Sequence, residues 1–169
     1  MFNINKSKAI NSLLFVIHEL GVDKSDCHKV FKILYFADQK HLIRYGRPIT
    51  GDVYMKMKYG PVPSYIRDVT ESKQHEGLIQ RKNSHFIESS YPVEMDDLSD
   101  SDIECLKESI EENRNISFNE LTNKSHDKAW DNADWQMNYM DIAKAATDDR
   151  NMLEYIRTNA LNESISFSI

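Results

Sequence analysis

Apolar side chains recur along the first twenty residues with the spacing of a helix. Ile10, Leu13, Leu14 and Ile17 fall at i, i+3, i+4 and i+7, and Gly21 follows where a helix end favours a left-handed residue. The pattern predicts a helix over residues 5–20. A longer one is predicted over 26–45, capped by Asp23 or Ser25, with Cys27, Val30, Phe31, Leu34, Tyr35 and Leu42 on its stripe and Gly46 at its end. Its length and apolar content make it the expected central element. From Asp52 to Tyr59 the period drops to two: Val53, Met55, Met57 and Tyr59 share one face, and Tyr54, Lys56 and Lys58 the other, as in a strand. Gly60-Pro61-Val62-Pro63-Ser64 is expected to stop that strand, because proline gives a ladder no donor, and a helix over residues 64–74 should follow.

Residues 78–82 and 85–89 flank Asn83-Ser84, a pair suited to a tight turn, and so predict a hairpin; with residues 53–58 this makes three strands. Ser99 can cap a helix reaching Asn113, its early acids lying at the positive end of the helix dipole. Ser117-x-x-Glu120 has the form of a capping box opening a short helix to Asn123. Ser125 is expected to cap another helix containing Ala129 and Trp130, and residues 141–146 and 149–160 predict two more before a loose tail at 162–169. The expected fold class is α+β and predominantly α-helical: one domain over residues 1–161 with a small three-stranded antiparallel sheet. The order helix then hairpin at 64–89 leaves a winged-helix-like element open.

Composition agrees with a single folded domain: 169 residues, 40% hydrophobic and 28% charged, far from the signature of disorder. The apolar run Leu13 to Ile17 is broken by His18 and Glu19, and no stretch approaches the roughly 18 apolar residues that span a bilayer. Cys27 and Cys105 are the only cysteines, a usage suited to a reducing compartment. A cytoplasmic protein without membrane contact is therefore expected. The net charge of −6 is unevenly placed: residues 1–82 carry 14 Lys and Arg against 8 Asp and Glu, and residues 83–169 carry 7 against 19. An acidic total argues against indiscriminate nucleic-acid binding, while a local basic surface in the first half stays open.

Candidate chemistry is sparse. Cys27-His28 has no second spaced pair, and His18, His41, His75, His85 and His126 are scattered, so neither a metal nor a cofactor is expected. No nucleophile elbow, phosphate loop, dinucleotide fingerprint or H-E-x-x-H occurs, and the chain is read as a binding protein, not an enzyme. Asp38 lies on the core stripe of the second helix, between Leu34 and Leu42; a buried carboxylate needs donors, expected from the Gly46-Arg47-Pro48 turn or from Arg47 itself. Tyr35, Tyr45, Tyr54, Tyr59 and Tyr65 lie among Lys32, Lys40, Arg44, Arg47, Lys56, Lys58 and Arg67, a mixture found at protein interfaces and on nucleic-acid-binding surfaces. Trp130 and Trp135 are read as packing residues.

The segment KILYFADQKHLIRYGRPITGDVYMKMKYGPVPS, Lys32 to Ser64, strongly resembles the signature of the Panacea, or SocA-like antitoxin, domain family. LSDSDIECL (Leu98 to Leu106) and SHDKAW (Ser125 to Trp130) look like that family's later motifs in the same order, and the resemblance covers about residues 5–157. It places Tyr35, Asp38, His41, Tyr45, Gly46, Pro48, Tyr59, Gly60, Pro61, Ser64, His126 and Trp130 at motif positions. The resemblance implies a mainly helical antitoxin of a bacterial or phage toxin–antitoxin system, with no established catalytic residues, whose partner is a cognate toxin encoded beside it. A family member that delivers its toxin to a Clp-type protease keeps an adaptor role open, and repression of its own operon through DNA is the other alternative. The expected toxin contacts are Arg44, Tyr45, Arg47, Tyr54, Lys56, Lys58, Tyr59, Tyr65 and Arg67.

Overall fold

Helix α2 (Cys27–Tyr45) runs through the middle of the computed structural model, which describes residues 1–71 and 77–166. Its burial is not confined to one stripe: Val30, Ile33, Leu34 and Ala37 pack into one apolar cluster, while Tyr35, Phe36 and Leu42 pack into a second. Such a helix has protein on most sides. The first cluster lies between α2, α1 (Lys6–Leu20) and α4 (Asp100–Asn113). The second lies between α2 and the C-terminal helices α5 (Phe118–Ser125), α6 (Lys128–Asn132), α7 (Tyr139–Lys144) and α8 (Arg150–Ser166), closed by Phe2 from the N-terminus.

Most predicted helices are present, with shifts at the ends that have local causes. Asp26, not Asp23 or Ser25, caps α2 by accepting from the Lys29 amide, and Gly46 ends it at φ 75°. Ser99 and Asp102 form a capping box on α4, and Ser117 and Glu120 form the one expected on α5. α5 continues to Ser125, and Asp127 takes the capping role expected of Ser125, its Oδ1 accepting from the Ala129 and Trp130 amides at 3.0 Å each. α8 runs on to Ser166, so residues 162–166 are helical where a loose tail was expected. α3 (Ser64–Glu71) follows the first hairpin; its expected extension to residue 74, with His75 and the last three residues of the tail, lies outside the described residues.

The strands correct the expectation of a three-stranded sheet. β1 (Tyr54–Met57) pairs antiparallel with β2 (Gly60–Pro63), Tyr54 opposite Pro63 and Met57 opposite Gly60, so the segment expected to stop the strand is itself the return strand. Pro61 and Pro63 fit because alternate residues of a strand aim their amides to the same side, and the missing donors are those that would point away from β1. β3 (Gln80–Arg81) and β4 (Ile87–Glu88) form a separate two-stranded ribbon. The ribbons stay apart because their free edges are occupied. The far edge of β1 pairs with the segment after α6, Lys56 donating to the Trp135 carbonyl at 2.8 Å and Met137 to that of Tyr54 at 2.9 Å. The second ribbon is tied to the start of α2 through Ile87 N to Ser25 O at 3.0 Å. At 64–89, helix-then-hairpin order is realised as α3 followed by this short ribbon. Among the described residues no helix is long and apolar enough to cross a membrane.

Candidate functional site

Four carboxylates organise the middle of the chain, each by holding donors that the fold leaves over. Asp38 is fully buried on α2; its Oδ1 accepts from the amides of Ile49 (2.8 Å) and Thr50 (2.9 Å), and its Oδ2 from the hydroxyls of Thr50 and Tyr54 (2.9 Å). The donors lie just past the Gly46-Arg47-Pro48 turn, and Arg47 is not among them. Burial pushes the Asp38 carboxyl above its ordinary range, against the bonds from Thr50, Tyr54 and Ile49. Asp52 accepts from the amides of Val53 (2.7 Å), Tyr65 (3.0 Å) and Ile66 (3.0 Å) and from Ser64 Oγ (3.3 Å), which serves the first turn of α3. Asp127 receives the Tyr35 hydroxyl at 2.7 Å while capping α6. Asp102 gathers the Lys8 ammonium, His41 Nε2 at 3.1 Å and Arg47 Nη2 at 3.4 Å. Burial alone would raise Asp102, but the bonds from His41, Lys8 and Ser99 outweigh it and hold the carboxyl well below the usual range.

The β1–β2 hairpin is fastened from beneath by three further groups. Lys32 on α2 is buried and donates its ammonium to the Pro61 carbonyl at 2.9 Å; among the described residues no carboxylate bonds it, and desolvation, only partly offset by the charge of Asp26, pulls its pKa down to about 7. Gly60 sits at φ 99°, and a Cβ there would lie 2.2 Å from Ser125 Oγ and 2.6 Å from Lys32 Cε, so both backbone angle and space require glycine. His28 Nε2 lies 3.2 Å from the Tyr59 carbonyl and 3.0 Å from Thr122 Oγ1. Burial, helped by the charge of Lys32, lowers His28 to about 4, which leaves the ring neutral near pH 7, with an Nε2 proton serving the carbonyl.

The residues expected to meet a toxin do not share one surface. Arg44 makes a two-pronged pair with Glu108 on α4, at 2.8 and 2.6 Å, and Tyr45 donates to Glu104 at 2.9 Å. With Arg47 on Asp102, all three side chains of the α2 end are bonded to α4. Tyr54 has 0% of its surface exposed, so it serves the Asp38 cradle and faces no partner. Tyr65 carries the Lys6 ammonium over its ring, and Arg67 bonds Asp68 at 3.0 Å, both on α3. Lys56, Lys58 and Tyr59 alone stand together, at the turn of the first hairpin. The remaining motif positions are internal supports: Gly46 packs under Tyr155, Pro48 is buried and accepts from Arg47, and His126 stacks on Trp130 with ring centroids 3.8 Å apart.

Around the hairpin turn the structure gathers aromatic side chains that sequence reasoning did not. Tyr59 (48% exposed) meets Phe118 (48% exposed) edge-on with centroids 5.3 Å apart, and Phe118 packs on His28 at 4.1 Å. Trp130 donates its indole N–H to the Met57 carbonyl at 3.1 Å, and the Lys56 ammonium lies 4.5 Å from its ring centre. Trp135, expected to pack, is 72% exposed beside β1, and Met57 is 45% exposed. A lone tryptophan among Asp134, Gln136 and Asn138 was the available signal for Trp135; Phe118, directly after a capping serine, offered none.

A family model described as antitoxin SocA-like, Panacea domain, matches residues 30–131, more than half of the chain, from the first turn of α2 into α6. No curated protein and no solved structure matches the chain.

Proposed function

This chain belongs to the antitoxin SocA-like, Panacea domain family, and from that membership we propose that it is the antitoxin of a toxin–antitoxin pair, acting in the cytoplasm by binding its toxin directly. The observation that carries the reading is the family match over residues 30–131, the stretch that builds the hairpin and most of its supports. The buried carboxylates favour binding over catalysis: Asp38, Asp52 and Asp102 are each saturated by donors of their own fold, an arrangement that secures backbone. Neutralisation is then stoichiometric, one folded surface covering the part of the toxin that does harm.

Co-expression with the gene encoded beside it tests this. The expected result is restored growth and co-purification of the two proteins in equal amounts. Rescue without a complex, or a purified chain that turns over a substrate until one fold-neutral substitution stops it, would remove the reading. Operon repression would instead show as a salt-dependent shift of the promoter DNA. An adaptor role would show as toxin loss that needs both this chain and a Clp-type protease.

A further inference from the structure

Exposed apolar and basic side chains form a band along the first hairpin, which Trp135 joins through its backbone carbonyl on the Lys56 amide. From Trp135 the band passes by the β1 edge to Lys56 and Trp130, then Met57, Lys58 and Tyr59, and ends on Phe118. Large exposed apolar groups in contact with one another mark interaction sites, and Tyr, Trp, Phe and Met are the side chains enriched in interfaces. Their support is rigid: Lys32 and His28 hold the turn carbonyls, and Asp127 caps the helix that carries Trp130. A surface set in advance loses little freedom on binding.

The charges name the partner's chemistry. Elsewhere Arg44, Arg47, Lys40 and Arg114 are each paired with a carboxylate. Lys58 stands instead with its ammonium 5.1 Å from the Tyr59 ring centre, and Lys56 bonds the carbonyls of Ala133 (2.8 Å) and Asp131 (3.2 Å); among the described residues neither meets a carboxylate. Beyond Trp135 the sign changes, with Asp131 and Asp134 exposed. A phosphate backbone needs a basic track along its whole path, which these two acids interrupt. Resting on the antitoxin reading above, we propose that this surface is where the toxin docks, and that the toxin meets it with a segment whose apolar side chains cover Trp135, Met57 and Phe118 while its carboxylates lie over Lys56 and Lys58.

The test uses the full chain co-expressed with its adjacent toxin, and the purified pair for affinity. Tyr59→Ala and Trp135→Ala are each expected to weaken binding roughly tenfold or more, as aromatic anchors of an interface do. Lys56→Glu/Lys58→Glu is expected to slow association and lose growth rescue; because Lys56 also bonds two carbonyls of its own fold, Lys58→Glu alone, which breaks no such bond, is expected to slow association with circular dichroism and urea midpoint unchanged. A toxin variant with its facing acid changed to Lys should recover binding to that double variant. If wild type rescues and these variants rescue and bind as well as it does, the docking surface is elsewhere and only this inference falls. If Arg67→Ala abolishes binding and the hairpin variants do not, α3 is the contact and the inference again falls. If wild type neither rescues nor binds, the antitoxin reading fails and this inference with it. A shift of a 20-nucleotide single-stranded DNA at low salt, lost in the Lys double variant while toxin binding persists in it, would give the surface to nucleic acid.

Discussion

Asp38 and Lys32, both on α2 and both bonded to the first hairpin, show opposite ways of burying a charged side chain. Asp38 is surrounded by donors, so Asp38→Ala leaves two amides and two hydroxyls without an acceptor and should cost on the order of 3–4 kcal/mol in urea unfolding. Asp38→Asn keeps one acceptor oxygen and should lose much less, about 1 kcal/mol. Lys32 has one carbonyl, and among the described residues no carboxylate bonds it, the charge of Asp26 only partly offsetting its burial. Its folded pKa, about 7, lies below the unfolded value of 10.5, so the unfolded chain binds the extra proton between these values and stability must rise with pH across that window. Comparing unfolding of the wild type with Lys32→Met from pH 7 to 9 checks this: the wild type should gain stability over the range and the variant should stay flat. Equal slopes would show that Lys32 keeps its charge in the fold.

At the scale of elements, the decisive contacts are the hairpin against α2 and the ion-paired seam between α2 and α4. Gly60→Ala asks a side chain to fit at φ 99° against Ser125 and Lys32, and should cost on the order of 2–4 kcal/mol while moving the hairpin, seen as a change in the emission of Trp130 and Trp135 together. On the seam, exposure decides magnitude. Arg44→Glu faces Glu104 and Glu108 in a solvated setting and should cost about 1 kcal/mol. Arg47→Glu sets a carboxylate beside the buried Asp102 and should cost two to three times as much, about 2–3 kcal/mol, in the same denaturation experiment. The helices of this scaffold were legible because period, cap and terminal glycine coincide in them: α1, α2 and α4 appear within a residue or two of their predicted bounds. β2 was not legible, because Pro61 and Pro63 read as a stop unless the side their amides face is known, which depends on β1. Asp127 was overlooked as a cap because Ser125, two residues earlier, is an equally good capping residue by type and is instead buried under Gly60.

For the whole molecule, the charge asymmetry of the sequence becomes an internal attraction. The basic residues of the first half, Lys8, Lys40, Arg44 and Arg47, meet the acidic α4 of the second, which is why their signal did not mark a binding face. Half of the proposed docking surface was therefore readable, the alternating Lys56-Met57-Lys58-Tyr59, and half was not, because Phe118 and Trp135 arrive from segments whose approach only the tertiary fold sets. The seam also shapes acid sensitivity. The Asp102 carboxyl is held below its unfolded value of 3.8, so its contribution is fully present above that pH and is lost as pH falls further. Acid unfolding below pH 4 should be shallower in Asp102→Asn than in the wild type; the same acid slope in both would assign the sensitivity to other carboxylates.

One property of the small β1–β2 ribbon bears on how the free chain behaves. A lone two-stranded ribbon ordinarily offers open flanks that invite a neighbour's backbone, and greasy rings nearby would make such stacking worse. Here one flank is already taken by the chain beyond Trp130, and the other carries imino acids at alternate places, with the outward carbonyl of Pro61 satisfied by an ammonium group. The ribbon thus presents few open backbone groups beside its exposed rings, so edge-to-edge stacking of copies is disfavoured.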